Sequence, residues 1–354
     1  MDYGIDIAPA ADSWKLVKRA EELGYSRAWF FDTHLLNAEL FVAMGAAAVQ
    51  SSKIQLGTGV IMVTNRIAPV AASGLASLNM LAPGRINFGI STGYTGRRTM
   101  GVSAVKLAEM KEYIRIVREL LAGEMTQWEF EGERRTIRMM SPEVGVYNLK
   151  DPIPLYISAF NPKARKLVAE MGANWIFTPT KVAHAKTLID EMKQGWRAAG
   201  HDPEKIKISA EIAGCILAEG EPYDSPRAKA QAGPMASTAL HNWAEADQFK
   251  SIFGPVPPAF EPAVKAYRKI YDSYQPADAR YLSNHRGHLM FLRPDEQALC
   301  SADMIKAFTF TGTKADLQDR LRGLREAGCT QVSVQIRHGQ PQMLEEWADL
   351  FASV

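Results

Sequence analysis

The residues able to do chemistry in this chain are a few histidines, a pair of arginines and several small-residue corners. His34 stands in FFDTHL, directly after an apolar run. An imidazole titrates near neutrality, so at a strand end it is a candidate general base. His285 and His288 share YLSNHRGHLMFL. They can face a pocket and orient a polar substrate, or serve only their own loop. No third ligand at convincing spacing accompanies them, so no metal site is expected. Arg97 and Arg98 offer two cations that either bind an acidic substrate or lie in a solvated loop. Lys181 is the nearest candidate for a Schiff-base lysine, but several residues separate it from the apolar run NWIF, which puts it in a wet loop.

Glycine recurs where strands should end: Gly57-Thr58-Gly59 closes one apolar run and Ser91-Thr92-Gly93 the next. Glycine weakens a strand, so its repetition suggests that something must approach the backbone closely. Neither Gly57-x-Gly59 nor Gly93-x-x-Gly96 extends to a dinucleotide fingerprint, and there is no P-loop. In SAFNPKARKLV, Asn161 reads as a helix cap and Pro162 as the first helical residue, which leaves backbone N–H groups to attract an anion.

These corners need elements to hold them. Short apolar runs near Ile5, Trp29, Leu56, Phe88, Tyr156, Ile176, Ile208 and Val334 alternate with segments of helical periodicity. Asp12 or Ser13 opens the first helix and Gly24 stops it. Pro69 opens a third, VKLAEMKEYIRIVRELLAG is a long amphipathic one, and Thr313-x-x-Asp316 is a capping-box start. Trp128 to Asp151 is a charged, turn-rich excursion. Eight strands alternating with helices predict a closed (β/α)8 TIM barrel, with an open doubly wound sheet as the competitor. The expected organisation is a single domain, 1–354. Residues from about 220 to 302 break the rhythm as a long insertion between strands 7 and 8. The aromatics and prolines there suit a lid over the barrel mouth or a subunit contact.

Composition is that of an ordinary folded chain: 354 residues, 47% hydrophobic and 23% charged. A net charge of +2 argues against nucleic acid or an anionic membrane as the main partner. Three scattered cysteines form neither a disulfide framework nor a metal knuckle. The N-terminal residues carry no secretory pattern, and no run is long enough for a membrane span. A soluble, cytoplasmic chain is the expectation.

Read in order, EELGYSRAWFFDTHL, IQLGTGV, ASLNMLAPGRINFGISTGYTG, AFNPKARKLVAEMGANWIF and FTGTKADLQDRLRGLREAGCTQV resemble the bacterial-luciferase-like flavin-dependent oxidoreductases. TMGVSAVKLAEMKEYIRIVRELLAGE is similar to the subgroup containing methylene-tetrahydromethanopterin reductase. The resemblance spans the chain except the insertion, where it is looser. It implies a flavin or deazaflavin ring across the barrel mouth, against a bulge at Gly59-Val60 that carries a non-proline cis peptide. The glycines would then keep room for the ring. It also implies cofactor contacts from Ser91, Thr92 and Tyr94, and a phosphate site at Ser158, Ala159 and Asn161. Thr92 departs from luciferase itself, which has an arginine there. His34 matches an active-site histidine of relatives that can act on a proton or hydrogen-bond the ring edge.

The reaction expected first is oxygen insertion into a small organic substrate by a reduced-FMN monooxygenase, supplied by a separate flavin reductase. The alternative is hydride transfer with a deazaflavin. A non-catalytic flavin-binding protein comes last. A homodimer is the expected assembly.

Overall fold

Strand alternation writes the barrel wall. In β1 (Asp2–Ile7), Ile5 and Ile7 join the apolar layer beneath the surrounding helices, and Asp6 between them is buried but outside that layer. The last strand repeats the pattern, with Val332, Val334 and Ile336 in the apolar layer and Gln331, Ser333 and Gln335 as buried polar residues. Odd and even positions of a strand face opposite ways, so one set packs on the helices and the other lines the lumen.

The computed structural model describes residues 1–249 and 251–354. After β1 come β2 (Arg27–Phe30), β3 (Gln55–Thr58), β4 (Ile86–Ser91), β5 (Leu155–Ser158), β6 (Asn174–Phe177), β7 (Ile208–Ile212) and β8 (Gln331–Ile336). All pair in parallel, in the order β3-β2-β1-β8-β7-β6-β5-β4. Pairing of Leu56 with Ile86 and Gly57 with Asn87 joins β3 to β4 and closes the ring. Each predicted strand position lies in one of these strands, and closure excludes the open sheet. The strands' C-terminal ends define the mouth, where the loops that build sites in such barrels gather.

The helices start largely where the sequence says they should. Thr313 and Asp316 form the reciprocal capping box of the helix Lys314–Glu326. Pro69 sits in the first turn of the helix Ala68–Leu81. Ser13 differs: its hydroxyl accepts the N–H of Ala10 at 2.8 Å and caps nothing in the helix Trp14–Glu22. An antiparallel hairpin, Thr126–Phe130 with Glu133–Ile137, starts two residues before the charged excursion and runs into it. Its two-residue turn, Glu131-Gly132, has positive φ at both positions, as a tight hairpin turn demands.

The insertion has an apolar cluster of its own, built on the helices Pro226–Ala244 and Glu261–Ser273 and the helix Ala302–Phe308 that follows. Trp243, Phe253, Phe260 and Phe308 pack ring against ring, with centroids 5.3–6.3 Å apart. Those aromatics therefore spend much of their surface on the insertion's interior. Cys215, Cys300 and Cys329 are free and buried. Among the described residues, no helix is long and apolar enough to cross a membrane.

Candidate active site at the barrel mouth

β3 ends in the non-proline cis peptide Gly59-Val60, and Ile61–Met62 then pairs beside the end of β4. Val60 is half-buried over a small cluster of Trp29, Tyr156 and Ile176. The glycines around this bulge answer to protein neighbours. A Cβ on Gly57 would lie 2.2 Å from the Trp29 ring, and one on Gly59 2.7 Å from the Trp29 Cβ. A Cβ on Gly89 would lie 2.1 Å from the carbonyl oxygen of Thr58. Trp29 and the β3 backbone fill the space that side chains at these three positions would take. Thr58 explains the tight seam, since its hydroxyl accepts the N–H of Gly89 at 2.8 Å and donates to the carbonyl of Gly89 at 2.7 Å.

At the mouth the lumen is polar, which the sequence reading missed. Asp6 is a buried acid on β1 and Glu211 a half-buried one on β7, with Arg337 buried just past β8. Burial pushes the Glu211 carboxyl up to about 8. Asp6 is raised by burial and then by Glu211, against a smaller opposing pull from Arg337. Burial lowers the Arg337 guanidinium to about 9, with Asp6 opposing. Both Asp6 oxygens, one Glu211 oxygen and one Arg337 nitrogen have no partner among the described residues. Buried polar atoms are normally paired, so orphans gathered at a mouth point to a polar ligand. The signal was available: an acid flanked by apolar residues inside a short strand, as in GIDIA and SAEIA, belongs on the lumen face.

A testable consequence concerns pH. An acid whose folded pKa exceeds its unfolded one holds its proton in the folded chain. Its contribution is complete below the ordinary value of 4.5 and is lost as pH rises towards about 8. Glu211→Gln should therefore gain stability relative to the natural chain between about pH 5 and about pH 8. Urea unfolding of both proteins across that range checks this; a constant difference would contradict it.

His34 lines a cavity of about 530 Å³ with Asp32, Asn37, Glu39, Arg66 and Met100. Its Nε2 lies 3.0 Å from the Met100 sulfur, and its Nδ1 is buried without a partner among the described residues. Asp32, two residues earlier, accepts the N–H of Met62 at 3.1 Å and pairs with Arg66 at 2.9 Å. The loop carrying His34 is thus fastened to the bulge.

At the proposed phosphate end, Asn161 caps the helix Pro162–Glu170 by accepting the N–H of Ala164 at 2.9 Å. Pro162 has no N–H, and Arg165 donates to the carbonyl of Asn161, so the first turn keeps at most the N–H of Lys163 for an anion. Ala159 is buried, and its carbonyl accepts the Trp175 indole N–H at 2.9 Å. Ser158 is half-buried at the end of β5. Ser91 accepts the N–H of Gly93 at 3.3 Å, and the Thr92 carbonyl accepts that of Val105. Lys181 is exposed just before the helix Val182–Ala198, which leaves no desolvated pocket for a Schiff base.

The two arginines part company. Arg97 is half-buried and donates to Thr64 Oγ1 at 3.0 Å and to the Ser103 carbonyl. Arg98 is buried, pairs with Glu245 of the insertion at 3.3 Å, and lies 4.1 Å over the Tyr94 ring. Arg98 and Tyr94 therefore brace the short helix Tyr94–Arg98 against the insertion.

His285 and His288 come together with a third histidine, His241 from the helix Pro226–Ala244, and all are buried. His285 pairs with Glu245 at 3.0 Å, and His288 Nε2 lies 3.2 Å from Thr95 Oγ1. Burial is the main force holding both below the ordinary imidazole value. Sequence spacing gave no sign of His241, because it approaches from another helix.

The sequence model described as luciferase-like monooxygenase matches residues 3–331. The chain is 26% identical over 337 residues to a 5,10-methylenetetrahydromethanopterin reductase of Methanolobus tindarius, covering 94% of this chain and 93% of that one. It is 30% identical over 212 residues to an F420-dependent glucose-6-phosphate dehydrogenase of Kineococcus radiotolerans, covering 55% and 60%. Among solved structures it matches the coenzyme F420 dependent tetrahydromethanopterin reductase from Methanopyrus kandleri. The TM-score is 0.68 at 20% identity, over 98% of this chain and 97% of that one.

Proposed function

The chain belongs to the luciferase-like monooxygenase family and is an oxidoreductase, and we propose that it transfers hydride between a deazaflavin of the coenzyme F420 type and a small organic substrate. The observation carrying this reading is the similarity over nearly the whole chain to a methylenetetrahydromethanopterin reductase, joined by an F420-dependent dehydrogenase over half of it. The reading reverses the order expected from sequence, where reduced FMN came first.

The residues at the mouth fit such a group. Val60 offers an apolar face above Trp29, Tyr156 and Ile176, and the orphaned atoms of Asp6, Glu211 and Arg337 offer polar partners for a ring edge. A bound deazaflavin supplies hydride chemistry without activating oxygen. The protein's part is to orient, to exclude water and to manage a proton. His34 is the group for the proton: it lines a cavity of about 530 Å³, and its Nδ1 has no partner among the described residues. Ser91, Thr92, Ser158 and Asn161 lie at the strand ends where the side chain of the cofactor would run. Arg97, at the rim, is the candidate for an acidic group on the ligand.

An anaerobic screen tests this. Reducible and oxidisable substrates are offered with each redox state of coenzyme F420 while its absorbance is followed. Oxygen-independent turnover is expected. Turnover that appears only with reduced FMN and oxygen would replace this reading with the monooxygenase one, which the family description favours.

A further inference from the structure

We propose that His241, His285 and His288 form a binding site for one divalent transition-metal ion, with zinc the first candidate. One ring nitrogen of each lies within 4.8 Å of the others, in the buried interior of the insertion. One nitrogen of each ring is already engaged. His285 Nε2 meets Glu245 at 3.0 Å, His241 Nε2 meets Glu296, and His288 Nε2 lies 3.2 Å from Thr95 Oγ1. That leaves the Nδ1 atoms. Those of His241 and His288 face each other at 3.4 Å, and that of His285 is buried without a partner among the described residues.

This is the arrangement a metal selects. A ligating histidine fixes its orientation by donating its other ring N–H to a carboxylate or similar acceptor. Here the two carboxylates are themselves held by arginines, Glu245 by Arg98 at 3.3 Å and Glu296 by Arg293 at 2.6 Å. Two relays, Arg98–Glu245–His285 and Arg293–Glu296–His241, thus meet in one cluster of ring nitrogens. Zinc–nitrogen bonds of ~2.0–2.1 Å in a tetrahedral site put neighbouring ligand atoms ~3.3–3.4 Å apart, which the His241–His288 pair already satisfies. The other edges contract when the ion binds. Three imidazoles suit zinc, cobalt, nickel or copper and not magnesium or calcium. Three protein ligands leave a fourth position for water. Thr95 belongs to the helix after β4, so an ion here fastens the insertion to the barrel mouth.

The competing account is a metal-free network in which His241 and His288 share one proton. The test uses the full chain, stripped with a chelator, equilibrated with zinc and gel-filtered before elemental analysis. The site predicts close to one zinc per chain, displaceable by cobalt(II) with the visible absorption of a tetrahedral nitrogen-ligated ion. His288→Ala and His241→Asn should lose most of that metal and that spectrum. His184→Ala, on an exposed histidine, should keep both. Zinc should raise the unfolding temperature of the natural chain and magnesium should not. Even if the variants fail to fold, the natural chain decides the matter. Stoichiometric zinc with the tetrahedral cobalt spectrum supports the site; no retained metal, or equal retention by folded His288→Ala, overturns it. The result does not depend on which cofactor the mouth binds.

Discussion

His34→Ala should lower turnover by about 10²–10⁴-fold while leaving cofactor affinity within a few-fold, the loss usual when a general acid–base group is removed. Several features set His34 apart from the other histidines near the mouth. It lines an open cavity, where His241, His285 and His288 are sealed in the insertion. Its Nε2 meets only the sulfur of Met100, a weak acceptor, and its Nδ1 has no partner among the described residues. Its loop is anchored from behind, because Asp32 ties it to Met62 and Arg66. The imidazole is therefore positioned yet uncommitted, as a proton-transferring group must be. Steady-state kinetics with a titration of cofactor binding separates the effects. Unchanged turnover removes His34 from the mechanism, and lost cofactor affinity makes it a binding residue instead.

Gly89→Ala should cost about 3–5 kcal/mol of stability, a large effect for one methyl group. The new Cβ would sit 2.1 Å from a backbone oxygen, that of Thr58, which cannot swing aside as a side chain can. The two strands must separate where the ring closes, and the Thr58 hydroxyl loses both bonds to Gly89. Each such bond contributes about 1 kcal/mol, and the overpacking adds about 1–3 kcal/mol or more. Gly45→Ala is the control. It lies inside the helix Leu40–Gln50, where a Cβ finds its nearest neighbours at 4.0 Å. There alanine should be neutral or stabilising by up to about 1 kcal/mol. Urea unfolding of both variants checks the contrast, and equal stabilities would remove the tight-seam explanation.

Much of the fold was legible because each barrel strand leaves a local mark: a short apolar run between helical stretches with their own caps and stops. The capping box at Thr313 and the proline at position 69 are readable from a few residues, and the structure uses both. The hairpin at Thr126–Ile137 escaped because its strands are charged and mostly exposed, with only Glu131-Gly132 marking the turn.

The site was less legible, for physical reasons. The cis bond at Gly59-Val60 came from family resemblance and not from spacing. The glycines were noticed, but their neighbours lie on other strands, so the sequence could not say that Trp29 and Thr58 fill the space beside them. His241 joins His285 and His288 only through tertiary packing. Asp6 and Glu211 were overlooked although strand alternation places them on the lumen face. The chemistry of the mouth depends on residues that meet across the barrel, whereas the wall depends on residues that are neighbours in the chain.

The central claim, a deazaflavin at this mouth, is tested most directly by anaerobic titration with reduced coenzyme F420 and, separately, reduced FMN, each complex then mixed with oxygenated buffer. The account predicts at least about tenfold tighter binding of the deazaflavin, a difference of about 1.4 kcal/mol, with no oxygen consumed. Tighter binding of FMN, with rapid oxygen consumption by the complex, would contradict it.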